Sequence, residues 1–281
     1  MGKKHEKVEY VTRNHIEETH PIIHCITNVV TVNDCANALL AFGASPTMAH
    51  HELEVEEVTA GCAALVCNLG ATESFTAMEK ACNVSRKLKH PIVLDPVGVG
   101  GSSYRRTFAL RLLDAGGITC IRGNHSEIEA LYYKKSTQTG VDATEQAEGV
   151  NTTDLHKIAL ALAQKYNTIV IISGKTDIIS DGKKLYEVGN GSSLMARITG
   201  AGCMESAVLG AVLAVAHKRG INHLKSVVKT VAYLGICGEK AEQKTRKEQA
   251  GTMTFHLNFL DNMSKLNQNV IQKNEKIKKL K

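Results

Sequence analysis

Tryptophan is absent from this 281-residue chain, and all aromatic residues together make up only 4%. That leaves no wall of rings on which bases would stack, so a single-stranded nucleic-acid binder is not expected. Eight cysteines are present, at positions 25, 35, 62, 67, 82, 120, 203 and 237, but no pair has Cys-x-x-Cys spacing. Zinc-ribbon and thioredoxin-like chemistry therefore lack their usual ligand pattern. No long hydrophobic stretch exists either. The longest apolar run, Ala207 to Ala216, is far too short to cross a bilayer. Met1 to Glu18 is charged throughout and has no apolar leader segment. Free thiols in apolar runs and no export signal point to a reduced, cytoplasmic enzyme with no membrane partner.

Charge of one sign is also scarcer than the total suggests. The formal net charge is +6, yet residues 265–281 alone carry six lysines and one glutamate. The other 264 residues hold 28 basic and 27 acidic side chains, which is near neutrality. No polyanion-binding face is expected on the body. The tail reads as a frayed, solvated helix end, so the chain divides into one domain over 1–264 and a lysine-rich tail over 265–281.

What is present is an alternation of short apolar strands with helical segments of about 10–15 residues. Strands are expected at 21–26, 63–67, 91–94, 118–121 and 168–172, and a hairpin joins 177–179 to 185–188 through Ser180-Asp-Gly-Lys183. Helices are expected at 1–20, 32–42, 72–88, 104–114, 126–131 and 155–166, and from Gly202 onward, with a polar surface loop over 134–151. Strands apolar along their whole length imply a mostly parallel sheet covered by helices on both faces. Ligands of such folds bind beyond the carboxyl ends of the strands. The polar residues expected there are Asn28, Asn68, Asp95, Arg122, Ser173 and the turn from Gly200 to Cys203.

The stretch Ile198-Thr-Gly-Ala-Gly-Cys-Met-Glu205 organises these residues. A glycine-rich turn runs into a helix whose first amides have no internal partner and whose dipole is positive, which suits an anion. Gly200 and Gly202 admit backbone conformations and approaches that a Cβ forbids. Cys203 at that end is expected to have a lowered thiol pKa and to act as a weak base or orienting group. Asp95 precedes a glycine loop, and Glu127 opens a helix. One or two carboxylates with waters and phosphates are what Mg²⁺ prefers. Arg122 suits bidentate phosphate binding. Several familiar motifs fail. Gly174-Lys175-Thr176 has Ile169 where a Walker loop needs glycine, position 103 is serine where a dinucleotide loop needs glycine, and there is no Gly-x-Ser-x-Gly elbow.

Taken together, Ile23-His-Cys-Ile-Thr-Asn-Val29, Pro46-Thr-Met48, Leu94-Asp-Pro-Val-Gly-Val-Gly-Gly101, Arg122-Gly-Asn-x-x-Glu127 and Thr199-Gly-Ala-Gly-Cys203 resemble the hydroxyethylthiazole kinase family of the ribokinase-like superfamily. The match runs in order from about residue 10 to about residue 260. Cysteine at 203, where most ribokinase-like enzymes have aspartate, is the sharpest discriminator. The resemblance implies a three-layer ribokinase-like sandwich and ATP- and Mg²⁺-dependent phosphorylation of the hydroxyl of 4-methyl-5-(2-hydroxyethyl)thiazole in thiamine salvage. It also implies a homotrimer with sites at subunit interfaces. By the same carry-over Met48 and Gly200 contact the thiazole, with Asn28 and Asn68 near it. Arg122 and Ser173 contact ATP, and Asp95 and Glu127 organise Mg²⁺. Ser173 stands where the family has threonine, which keeps a hydroxyl. The rival readings are another small-alcohol kinase, for a sugar or hydroxymethylpyrimidine, and a hydrolase with Cys203 as nucleophile and His24 as base.

Overall fold

A computed structural model of the chain describes residues 9–136 and 152–281. In chain order it contains α1 (Arg13–Thr19), β1 (Ile22–Ile26), α2 (Val32–Phe42), β2 (Ser45–Thr47), α3 (Val55–Ala60), β3 (Ala64–Asn68), α4 (Phe75–Leu88), β4 (Ile92–Asp95), α5 (Ser103–Asp114), β5 (Cys120–Asn124) and α6 (His125–Tyr133). There follow α7 (Thr152–Tyr166), β6 (Ile169–Ser173), β7 (Asp177–Ser180), β8 (Leu185–Val188), α8 (Ala201–Arg219), α9 (His223–Lys247), α10 (Thr252–Lys265), α11 (Gln268–Asn274) and β9 (Ile277–Lys279). Among the described residues one nine-stranded sheet has the order β2-β1-β3-β4-β5-β6-β7-β8-β9. The first six of these in space are parallel, and β7, β8 and β9 are antiparallel additions at one edge.

Side chains alternate across a strand, so an apolar strand feeds two cores. Ile23, Cys25, Val66, Val93, Cys120 and Ile171 join the core under α2, α8, α9 and α10. Ile26, Leu65, Cys67, Leu94, Ile121 and Val170 join the other, under α4, α5, α6 and α7. The result is the expected three-layer arrangement. Helix α8 lies close on the sheet, because a Cβ on Gly210 would come within 2.6 Å of Val66 Cγ2 and 3.1 Å of Ile23 Cγ2. No larger residue allows that contact without displacing the helix.

Two expectations need correction, and a third lies mostly outside the described residues. The N-terminal helix is limited to Arg13–Thr19 within the described residues, and residues 1–8 lie outside them. Most of the expected loop over 134–151 likewise lies outside the described residues, which resume at 152. The segment 265–281 is not a solvated helix end. It turns back through α11, and its last strand pairs with β8 through Val188 and Ile277, Glu187 and Lys278, and Tyr186 and Lys279. Ile277 packs on the core while its neighbours stay exposed, so lysine here marks a charged edge strand.

Candidate active site

The parallel strands end together, and their register sets polar side chains side by side. Asn68 ends β3 opposite Asp95, which ends β4; Asn124 ends β5 opposite Ser173, which ends β6. Strand β5 runs three residues further than expected, so Arg122 lies within it rather than beyond it. Met48 leaves β2 at the same end as Asn28 leaves β1, because the two strands are parallel.

The centre is a chain of short contacts. Ser206 Oγ donates to Asp95 Oδ2 at 2.9 Å, and Asn68 Nδ2 donates to the same oxygen at 2.8 Å. Asn68 Nδ2 also lies 3.2 Å from Cys203 Sγ. Asn28 Nδ2 donates to Asn68 Oδ1 at 3.1 Å and lies 3.8 Å from the same sulfur. The Asn28 amide oxygen is fixed in turn by the backbone N–H groups of Val30 and Thr31. Two asparagine side chains therefore set the sulfur's position relative to a fully buried carboxylate.

Gly200 is the N-cap of α8 with φ +84°, and a Cβ there would come within 2.9 Å of Thr31 Cγ2. Among the described residues no side chain caps this helix, which leaves its first amides unclaimed by them. Gly202 is the second residue of the helix, and a Cβ there would overlap Arg122 Nη1. The guanidinium thus lies directly on the first turn. Arg122 Nη2 donates to Glu205 Oε2 at 3.2 Å, and both side chains are largely buried. Burial opposes the charge on Arg122, but Glu205, Asp95, Glu127 and Asp177 outweigh it and hold its pKa above the usual value.

The thiol contradicts its expectation. Burial, and then the charge of Asp95, push the Cys203 pKa up to about 11 despite the nearby helix start. At pH 7 it is a neutral thiol. Asp95 is also raised, by burial, against the pull of Arg122, Ser206 and Asn68.

The metal expectation divides between its two carboxylates. Asp95 Oδ1 is buried without a partner among the described residues, as a free oxygen donor for Mg²⁺ would be. Both oxygens of Glu127 are engaged. Oε1 accepts from the Gly98 N–H at 3.0 Å, and Oε2 accepts from the Asn124 N–H at 2.9 Å, while Asn124 Oδ1 accepts from the Glu127 N–H. That is a capping box, and burial raises its carboxyl to about 7. Among the described residues no group of three or more His, Cys, Asp or Glu is arranged to hold a metal. Mg²⁺ completed by phosphates and water does not need one.

Asn28, Asn68, Asp95, Cys203, Gly200, Gly202 and Arg122 thus come together, with Glu127 at their edge. Ser173 lies on the neighbouring strand end, its Oγ 3.4 Å from the Gly123 carbonyl, and Met48 packs partly buried against the core. Sequence reasoning passed over Glu205, Ser206 and Asp177. The first two sit in an apolar helix where a polar residue without a buried reason is costly, which was the available signal. Asp177 accepts from the Gly174 N–H, and its carboxyl rises to about 8 through burial and Glu205. His24 is no partner for Cys203: its ring nitrogens are bonded to Thr59 Oγ1 at 2.9 Å and the Ala49 carbonyl at 2.8 Å.

The family model described as "Hydroxyethylthiazole kinase family" matches residues 14–269. The chain is 40% identical over 272 residues to a hydroxyethylthiazole kinase of Clostridium beijerinckii, covering 95% of each. It is 36% identical over 269 residues to one from Pyrococcus abyssi, covering 95% of this chain and 96% of that one. Its fold is similar to the solved hydroxyethylthiazole kinase of Pyrococcus horikoshii, with a TM-score of 0.83, 34% identity and coverage of 96% and 97%. The pyridoxal kinase of Staphylococcus aureus, solved with ADP, shares the fold at a TM-score of 0.56 and 16% identity over 75% of this chain and 85% of that one. A family match across most of the chain, joined to a bare helix start beside a buried carboxylate, leads to one identification: the chain belongs to the hydroxyethylthiazole kinase family, with a ribokinase-like fold.

Proposed function

We propose that the crevice at the strand ends transfers the γ-phosphoryl group of ATP, with Mg²⁺, to the primary hydroxyl of 4-methyl-5-(2-hydroxyethyl)thiazole, as a salvage step toward thiamine in the cytoplasm. The observation that carries it is the uncapped start of α8, whose first turn lies against Arg122 and next to the sulfur and carboxylate of Cys203 and Asp95. Phosphoryl transfer has a loose transition state, so placement and charge neutralisation matter more than deprotonating the acceptor. In this reading the α8 amides around Gly200 and Gly202 receive the migrating group. Arg122 binds the nucleotide phosphates, with Ser173 beside them. Gly200 and Met48 face the thiazole, and Asn28 and Asn68 hold Cys203 against the acceptor alcohol. As a neutral thiol, Cys203 orients that alcohol instead of removing its proton.

Asp95 would hold Mg²⁺ through its free oxygen, with Glu127 adding charge from its capped position. The ion would neutralise phosphate charge. One guanidinium is set among the acidic side chains of Glu205, Asp95, Glu127 and Asp177, so a polyphosphate needs an added cation. The homotrimer with interfacial sites is part of the same proposal. Val29 and Val30, next to Asn28, are 80% and 70% exposed, and Leu53, Met253 and Leu257 are exposed as well, as side chains awaiting a neighbouring copy would be.

The test is ATP consumption with the thiazole alcohol, with and without Mg²⁺, alongside hydroxymethylpyrimidine and sugars, with the particle mass measured against the 30.4 kDa chain. ADP formation only with the thiazole and Mg²⁺, in a particle of three chains, is expected. Turnover of a rival alcohol alone would replace the substrate reading, and a monomer would end the trimer reading.

A further inference from the structure

Glu205 has no role in the chemistry above, yet its position is specific. It is an acid in a body of α8 that is apolar from Met204 to Ala216 apart from Ser206, and it is only 6% exposed. A carboxylate in such a place is retained only with a partner. The partner is Arg122, through one bond of 3.2 Å between Nη2 and Oε2. The pair is half made: Glu205 Oε1 and Arg122 Nε are both buried without a partner among the described residues. The same guanidinium covers the Gly202 turn, where a Cβ would collide with Nη1. Glu205 lies one helical turn further along α8, so its pull holds the guanidinium against the flank of the first turn, beside the bare amides.

We infer that Glu205 is a positioning residue that holds Arg122 across the anion site of the empty enzyme and yields it to nucleotide phosphate, so that carboxylate and phosphate compete for one guanidinium. This rests on the reading that Arg122 meets the phosphates of ATP. Two effects then oppose nucleotide binding. The ion pair must open, and the released carboxylate stays near an incoming anion in a poorly hydrated site. The thiazole alcohol has no charge to contest, so the effect falls on one substrate. Weaker ground-state binding of the nucleotide also limits retention of the diphosphate product.

Steady-state kinetics of the full chain with ATP, Mg²⁺ and the thiazole alcohol test this. Glu205→Gln keeps the shape and removes the charge. It is expected to lower the KM for ATP about tenfold and to change the KM for the alcohol less than twofold. Arg122→Ala is expected to raise the KM for ATP by more than tenfold. An unchanged or raised ATP KM in Glu205→Gln, with the Arg122→Ala effect intact, reduces Glu205 to a structural counter-ion and overturns the inference. An unchanged ATP KM in Arg122→Ala overturns the phosphate role of Arg122 instead. If Glu205→Gln does not fold, Glu205→Asp keeps the charge and shortens the reach. ADP binding measured by titration calorimetry should then tighten about threefold, and unchanged or weaker binding counts against the inference.

Discussion

Two helices begin at the same crevice, and their first turns are built in opposite ways. Helix α6 is closed by its own side chains: Asn124 and Glu127 exchange bonds, and Glu127 also takes the Gly98 amide. Helix α8 opens on Gly200 with no side-chain cap, and Gly202 leaves its flank clear for Arg122. Both starts have the same dipole and the same orphan amides. The difference lies in what satisfies those amides. A terminus answered by asparagine and glutamate is finished, whereas one framed by glycines needs an outside acceptor. That contrast supports the proposal that the transferred phosphate meets α8, and it leaves α6 a structural task.

The largest effect should come from closing the open terminus. Gly202→Val would displace the guanidinium of Arg122, the far end of a flexible side chain, so the fold should survive. Turnover should fall on the order of 10²–10³-fold, the range seen when a charge-stabilising donor is removed. Normal turnover in a folded variant would break the contrast. The converse is to open the closed terminus. Glu127→Ala removes the acceptor of two amides and should cost about 2 kcal/mol in denaturant unfolding. If stability is unchanged and only the Mg²⁺ requirement moves, Glu127 is a metal ligand and not a cap. The smallest effect concerns the thiol between them. Cys203→Ala should lose less than about tenfold in rate, below the usual share of a general base. In the wild type, iodoacetamide should label Cys203 first, since the other seven cysteines are buried. With a thiol raised to about 11, against an ordinary value of 9.0, labelling should keep climbing beyond pH 10. A plateau near pH 7 would restore the lowered pKa first expected for this position.

The parallel body of the sheet was legible because its strands are apolar, its helices amphipathic and its turns marked. The boundaries of α2 matched residue for residue, and the hairpin from β7 to β8 was signalled by Asp181-Gly182, where Asp181 Oδ1 accepts from the amides of Lys183 and Lys184. The edge strand β9 was not legible, because a lysine-rich segment has the composition of a solvated tail. Only the register shows Lys278 opposite Glu187. At the site, motif residues could be named singly, but their environment could not. The dipole at the start of α8 favours a lowered thiol pKa at Cys203. Burial reverses that shift, and the groups at the sulfur, Asn28 and Asn68, are distant in sequence. Glu205 was hidden similarly, since its reason is Arg122, 83 positions earlier.

Gly210 has no chemistry of its own, yet it acts as a shim between helix and sheet. It lies seven residues beyond Cys203, about 10 Å down the same rigid rod. The contact with Val66 and Ile23 sets how deep that rod is seated, and so how far the sulfur stands from Asn68. Side-chain volume at position 210 thus calibrates the spacing between Cys203 and Asn68 at the start of the helix.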